Sequence, residues 1–485
     1  MEQEIARYSY IMVIALVIAS VFNYLYQVVM GILLPKHEFG ILGVALSIFY
    51  IGSVLTQNTF SWSGTRRMAS SSQMEEVSKV FRTTIAGNFA LAFIASMLIL
   101  YYSHESKTYL VPNALIAITL VLSAFMTSYA SLLRAMKKFR LLASANVMSA
   151  FLKLFFAVVL VMLGMGAIGA VAGLLISIVV VSVYLAYYTA KIKLPPSGGF
   201  VRDMITETFY VSIIFLGISF MVNSSIIFMR WFSGSDVLAG DYNAALTIAR
   251  CSFFITAALI TVLFPYVSSP DDRREEYAFQ SIKYIVLLVF PICVSMAVDP
   301  ETWLNLFFGK KYMGGAEVLR FLSIGIGLVS LAFMISSNLV AFERLKVPAA
   351  CLFIASIVQI AVVCLLRGDP ALTSALSVVI SSIITAILLF IYYIRRFYFK
   401  CSVKYVLKII VAYLALSAVF LIIHINGRLL SLIEIVVSFL LYFIILSVLS
   451  LFDEKDVDVL FSPLPKQFIE IMRKIVTRLN SIGSL

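Results

Sequence analysis

Two cations interrupt stretches that otherwise read as hydrocarbon: Lys153 in NVMSAFLKLFFAVVL and Arg250 in NAALTIARCSFF. Each closes a short polar stripe, Asn146, Ser149, Lys153 in the first and Asn243, Thr247, Arg250 in the second. Residues three or four apart share a helix face, and polar faces at membrane depth line water or a binding cavity. Other apolar stretches carry similar faces: Ser20, Asn23, Gln27, then Ser53, Gln57, Ser61, then Ser212, Ser219, Asn223, Arg230. Serine and threonine also bond back to their own helix or glue helices together, so Asn, Gln and the two cations weigh most. Their chemistry is recognition of an anion: Lys and Arg hold phosphate through charge-assisted hydrogen bonds. Asn, Gln and Ser suit sugar hydroxyls, with Tyr24 or Tyr26 as a stacking platform.

Lys153 stands 13 residues from Arg140 and 11 from Gly164, roughly 20 Å and 16 Å along a helix. Its stem is too short to snorkel that far, so the ammonium meets water, a partner or a ligand inside the protein. A structural ion pair and a neutral lysine are the other readings. Interior carboxylates are few: Glu434 lies in an apolar stretch, whereas Glu38, Asp241 and Glu343 fall at ends. Arg250 is shallower, about 13 Å from the start of its helix, and snorkelling is open to it.

The elements that must position these groups are membrane helices. The chain has 485 residues, 62% hydrophobic and 13% charged, with a mean hydropathy of +1.02. That excludes a soluble globular protein and a disordered one. Apolar runs long enough to cross a bilayer recur from Tyr8 to Phe452, and their lengths predict an all-α polytopic protein of about 14 transmembrane helices. Three of them are expected near 39–62, 83–102 and 283–303. The first run is too long for a signal peptide and lacks a cleavage site, so it reads as an uncleaved helix.

The net charge of +12 is a topology signal and not a nucleic-acid footprint. One set of alternating connections and termini holds 27 Lys and Arg, including Arg66 and Arg67, against 8 on the other. The positive-inside rule makes the first side cytoplasmic, with both termini inside a cell-membrane protein. The five cysteines show no paired spacing, and the three histidines fall in or beside loops, so neither a metal site nor a disulfide framework is expected. No cofactor and no catalytic residue is called for. In the tail, Phe468, Met472, Ile475 and Leu479 oppose Lys466, Arg473, Lys474 and Arg478, as in a helix lying on the inner leaflet.

The chain also reads as duplicated. Glu38-Phe39-Gly40 matches Asp241-Tyr242-Asn243 at an offset of 203, and GAIGAVAGLLIS from Gly166 matches PALTSALSVVIS from Pro370 at 204. Parallel repeats of six helices place a substrate site between the halves. The expected organisation is a lobe over 1–195, a pseudo-symmetric lobe over 196–400, two further helices over 401–452 and a cytoplasmic tail over 453–485.

PKHEFGILGVALSIF, FSWSGTRRMASSSQ, LLRAMKKFRLLASANVMSAFLK followed by LGMGAIGAVAGLLIS, GDYNAALTIARCSFFITAALITVLFPYVS, and FGKKYMGGAEVLRFLSIG followed by LVAFERLKVPAA occur in that order. In order and spacing they resemble the polysaccharide-transport branch of the multidrug/oligosaccharidyl-lipid/polysaccharide exporter superfamily. The resemblance implies a V-shaped pair of lobes and alternating access. The substrate it implies is a polyprenyl-linked oligosaccharide, moved to the outer leaflet alongside glycosyltransferases or a polymerase of one pathway. Lipid II flippases of the superfamily carry functional cations in helices one, two and eight. Arg66 or Arg67 and Arg250 would fill the last two roles, but the first helix here has no cation, which counts against lipid II. The rivals are a multidrug exporter, for which acidic lumen residues would be expected, and a membrane-embedded polymerase or glycosyltransferase, for which a large loop or acidic motif would be. The substrate face therefore comprises Lys153, Arg250, Arg66, Arg67, Asn23, Tyr24, Gln27, Gln57, Asn146, Ser149, Asn223, Asn243 and Thr247.

Overall fold

The computed structural model describes residues 2–106, 109–196, 199–269, 273–397, 402–422 and 427–452, with isolated positions beyond. The tail stripe lies for the most part outside them. Among the described residues the secondary structure is helical throughout. Thirteen helical stretches are long and apolar enough to cross a membrane, and one of them runs 52 residues. That stretch, α6 (Phe139–Leu160) and α7 (Gly166–Ala190), turns at Gly164 and Gly166, whose φ of +85° and +54° side chains rarely tolerate. It folds into a hairpin, with Ser144 Oγ 2.8 Å from Tyr184 Oη, and so makes two crossings.

The order is α1 (Glu2–Leu33), α2 (Lys36–Gln57), α3 (Phe60–Ser70), α4 (Met74–Ser106), α5 (Leu110–Ala135), then the α6–α7 hairpin. The second half runs α8 (Asp203–Ser233), α9 (Asp236–Ser268), α10 (Arg274–Tyr284), α11 (Phe290–Val298), α12 (Pro300–Phe308), α13 (Ala316–Ala341), α14 (Lys346–Leu365) and α15 (Pro370–Arg396). Neighbours repeat between the halves. α1 packs on α6 as α8 does on α14, and α5 on α7 as α13 does on α15. The outer surfaces carry large apolar side chains such as Phe155, Val183 and Leu414, the pattern of helices solvated by hydrocarbon.

Three boundaries differ from the sequence expectation. The second crossing continues to Ser70 through a break at Asn58 and Thr59, where Thr59 has φ −100° and ψ −103°. Irregular backbone at that depth is tolerated where it faces a cavity, and Ser61 Oγ donates to the Thr56 carbonyl at 2.8 Å to serve part of it. The third crossing begins at Met74 and the ninth at Arg274. Both extend past the apolar span, because charged side chains do not end a helix that leaves the membrane.

The last two helices, α16 (Val403–Ile422) and α17 (Arg428–Val448), lie against α11 and α12. Between α10 and α11, Ile285–Val289 is a π-bulge, which disturbs the carbonyl ladder. Tyr413 of α16 donates its hydroxyl to the Val286 carbonyl, and Tyr442 of α17 donates to that of Leu287 at 3.1 Å. A buried carbonyl losing its donor costs about 1–3 kcal/mol. Tyr413→Phe and Tyr442→Phe together are expected to lower the unfolding temperature in detergent, and an unchanged value would show that α16 and α17 dock by apolar contact alone.

Candidate functional site

The lobes meet along α2 and α9, and residues about 203 apart touch there. Arg250 Nη2 donates to Ser47 Oγ at 3.0 Å, and Asn243 Nδ2 to the Phe39 carbonyl at 3.0 Å. Lys36 Nζ lies 2.9 Å from Asp241 Oδ1. Related positions meet each other only near the axis that relates two halves, so α2 and α9 lie on it.

The end holding the α1–α2 and α8–α9 connections, poor in cations, is shut. Besides Lys36–Asp241, Tyr312 donates to the Gly31 carbonyl at 2.8 Å, and Arg230 Nε to the Tyr109 hydroxyl at 2.6 Å. Tyr109 in turn donates to Asp236. A Cβ at Gly40 would fall 2.2 Å from the Asp236 carbonyl oxygen, and one at Gly240 would fall 2.2 Å from that of Lys36. Glycine is what lets the two backbones approach this closely.

Below this closure lies a central cavity of about 480 Å³ between the lobes, with walls from α1, α2, α8, α9 and α13. Of the expected site residues, Asn23, Tyr24, Gln27, Gln57, Asn223, Thr247 and Arg250 line it. Arg250 is only 5% exposed. Its Nη2 also donates to Asn223 Oδ1 at 2.7 Å, and its guanidinium lies 5.7 Å from the Tyr50 ring centre. Asn223 Nδ2 donates back to the Ser219 carbonyl at 2.7 Å, and Ser219 Oγ to the Tyr50 carbonyl at 3.2 Å. Arg250 Nε and Thr247 Oγ1 are buried with no hydrogen-bond partner. The side towards the cation-rich end is aromatic, with Phe253 and Phe333 stacked at 5.2 Å. Phe215 and Phe333 also bound a second cavity of about 320 Å³ reaching Trp62 and Val340.

Lys153 stands one layer behind the cavity wall. Its ammonium donates to Asn23 Oδ1 and lies 4.5 Å from the Tyr26 ring centre, while Tyr26 donates to the Ala170 carbonyl at 3.0 Å. Neither Lys153 nor Arg250 pairs with a carboxylate among the described residues. Lys153 thus holds α1 to α6 and fixes the side chain that faces the cavity. Exchanging this buried ammonium for an apolar chain of similar volume removes the cost of burying a charge, and Asn23, which lines the cavity, can take water in place of the lost donor. Lys153→Met is therefore expected to keep or raise the unfolding temperature while lowering transport several-fold. A fall in both would mark Lys153 as a purely structural group.

The remaining expected residues are elsewhere. Asn146 is exposed, and neither it nor Ser149 lines the cavity: spacing groups residues on a face without saying what the face meets. Asn243 belongs to the closed end. Arg66 is exposed at the cation-rich end, 3.9 Å from exposed Glu343, a pair worth about 0–1 kcal/mol. Arg67 lies beside it on α3. Tyr50 and Ser47 escaped the sequence reading. Tyr50 precedes Ser53 and Gln57 by three and seven residues, so the stripe spacing itself could have found it. Among the described residues no group of His, Cys, Asp and Glu could hold a metal.

Comparison with solved structures shows the fold. The chain is similar to "Lipid II flippase MurJ, inward closed conformation", with 16% identity, a TM-score of 0.71, and coverage of 90% of this chain and 98% of that one. It is also similar to an inward-facing multidrug resistance MATE family transporter of the MOP superfamily, with 15% identity, a TM-score of 0.59, and coverage of 78% and 94%. A third is a MOP superfamily transporter from Pyrococcus furiosus, described as having a binding pocket of reverse polarity, with 14% identity, a TM-score of 0.57, and coverage of 81% and 96%. Among curated proteins, the uncharacterized membrane protein MJ1068 of Methanocaldococcus jannaschii is 24% identical over 162 residues. That match spans 32% of this chain and about a third of the relative's length, 31%. The fold is that of multi-pass flippases and transporters, and the family described as polysaccharide biosynthesis protein matches residues 6–270. That match covers more than half of the chain, which therefore belongs to the polysaccharide biosynthesis protein family.

Proposed function

We propose that this protein is a flippase carrying a polyprenyl-(pyro)phosphate-linked oligosaccharide from the cytoplasmic to the outer leaflet of the cell membrane by alternating access. One observation carries the reading: Arg250, buried and paired with no carboxylate among the described residues, lines the inter-lobe cavity, and its Nε has no hydrogen-bond partner. A buried charge without a counter-ion is costly unless a ligand supplies one. The phosphate meets Arg250. The sugar meets Gln27, Gln57, Thr247 and Asn23, the last steadied by Lys153. The prenyl tail stays in lipid between the lobes 1–195 and 196–400.

Orientation follows from the positive-inside rule, with the cation-rich end and both termini cytoplasmic. The closure then lies outside, and loading proceeds from within past Arg66 and Arg67. The protein's partners would be glycosyltransferases or a polymerase of the same pathway.

A second reading has its own support. Phe215, Phe253, Phe254 and Phe333 give the cavity an aromatic side suited to a lipophilic aromatic cation, as in a multidrug exporter. The two are separated by thermal unfolding of the purified protein with each ligand. Protection by a polyprenyl-phosphate-linked glycan and none by a lipophilic cation such as tetraphenylphosphonium is expected. Protection by the cation alone would favour the exporter.

A further inference from the structure

A larger chamber, of about 820 Å³, lies apart from the central cavity, between α10, α15 and α16. Its walls are apolar and aromatic, with Phe279, Val286, Phe390 and Ile409 among them. Ile387 and Val406 among its walls are exposed and belong to α15 and α16, both long and apolar enough to cross a membrane, which fits a chamber opening sideways into the lipid. Its polar side chains gather at one end: Glu276, Gln280, Lys283, Ser402 and Tyr405, at the cation-rich ends of α10 and α16. Gln280 Oε1 is buried there with no hydrogen-bond partner. Arg395 and Arg396, just beyond Phe390 on α15, and Lys404 on α16 are exposed around the same end. Lys283 is held by Asp456 of the C-terminal segment at 2.6 Å.

We infer that this chamber binds a membrane phospholipid with an anionic, hydroxyl-bearing headgroup, drawn from the leaflet at the cation-rich end. An apolar interior with a lateral opening fits acyl chains. One polar end set at the membrane surface fits a headgroup, and a soluble ligand would need neither feature. Lys404, Arg395 and Arg396 supply positive charge to a phosphate at that surface. The orphaned Gln280 oxygen is an acceptor, and once its side chain turns toward the chamber it selects a headgroup with a hydroxyl to donate. Exposed Glu276 can accept from the same hydroxyl, the phosphate lying on the side of Lys404, Arg395 and Arg396. Phosphatidylglycerol has all of these parts, whereas phosphatidylcholine has neither the net charge nor the hydroxyl. Because Val286 lines the chamber and also receives the Tyr413 hydroxyl, a bound lipid would brace the junction where α16 meets the π-bulge.

The test is native mass spectrometry of the full-length protein after exposure to equimolar phosphatidylglycerol and phosphatidylcholine in mild detergent. One phosphatidylglycerol should be retained over phosphatidylcholine by about tenfold. Val406→Trp, which fills the lateral opening, should lose it, and Gln280→Leu should narrow the preference while leaving the part owed to charge. Ile387→Trp, on the opposite flank, serves as the second filling variant if the first unfolds. Equal retention of both lipids by the unaltered protein would overturn the inference, as would retention unchanged by the filling variants. Displacement of phosphatidylglycerol by an equal concentration of polyprenyl phosphate would also overturn it, because the chamber would then belong to the substrate.

Discussion

Arg250→Ala should lower transport of a phosphate-linked glycan by about tenfold to a hundredfold at unchanged protein level. That range follows from the roughly 1.5–3 kcal/mol of a hydrogen bond to a charged group. The guanidinium lines the cavity and is tethered by Ser47 and Asn223 through one nitrogen, Nη2, so its Nε is left without a partner. Arg250→Lys keeps the charge but loses the planar fork, so it should recover only part of the activity. The unfolding temperature should fall only modestly: Asn223 Oδ1 loses its donor, but it lines the cavity, where water can replace it, and no carboxylate is left stranded. An alanine variant with full transport and normal abundance would remove Arg250 from the substrate path.

The second large effect concerns the closed end. Gly240 and Gly40 meet the opposite lobe backbone to backbone, where a side chain has no flexible neighbour to displace. Gly240→Leu would put carbon within 2.2 Å of the Lys36 carbonyl oxygen, so the two lobes cannot seat against each other. Checked for folding by its elution profile in detergent, the variant should remain open at the cation-poor end and transport nothing measurable. In a background lacking the native cysteines, Thr247→Cys would then react from that side with an impermeant maleimide, and would be protected with Gly240 intact. Lys36→Glu should shift labelling in the same direction by less, because the Lys36 side chain is about a third exposed, at 32%, and screened.

Much of this was legible beforehand, and the reasons are physical. Membrane helices declare themselves by length and hydropathy, so the all-α, fourteen-crossing architecture followed from composition and run length. The offset of 203 read from Glu38 and Asp241 reappears in the contacts between α2 and α9. Parts of the stripes on the first, second, seventh and eighth crossings line one cavity, whereas Ser61, Ser212, Arg230 and Asn243 from the same stripes do not. The fifth-helix stripe does not: Lys153 reaches an amide oxygen and a tyrosine ring on α1, a partner that spacing within one helix cannot reveal. The break at Asn58 and the π-bulge at Ile285 were equally hidden. Both depend on neighbours, a cavity in one case and two tyrosines from distant helices in the other, and neither leaves a local signal in the sequence. Glu38 and Asp241 also diverge in use. Glu38 caps α7 by accepting from the Ala167 amide at 2.6 Å, whereas Asp241 reaches across to Lys36.

The central claim is movement of an anionic, lipid-linked sugar through the Arg250 cavity without chemical change. The direct measurement is a leaflet assay in proteoliposomes holding a fluorescent polyprenyl-phosphate-linked glycan. Its exposure to an impermeant quencher would be followed for the unaltered protein and for Arg250→Ala, and its mass checked at the end. The expected result is loss of leaflet asymmetry with the unaltered protein, a rate at least about tenfold lower for the variant, and an unchanged mass. Equal rates with and without Arg250, or a glycan of altered mass, would contradict it.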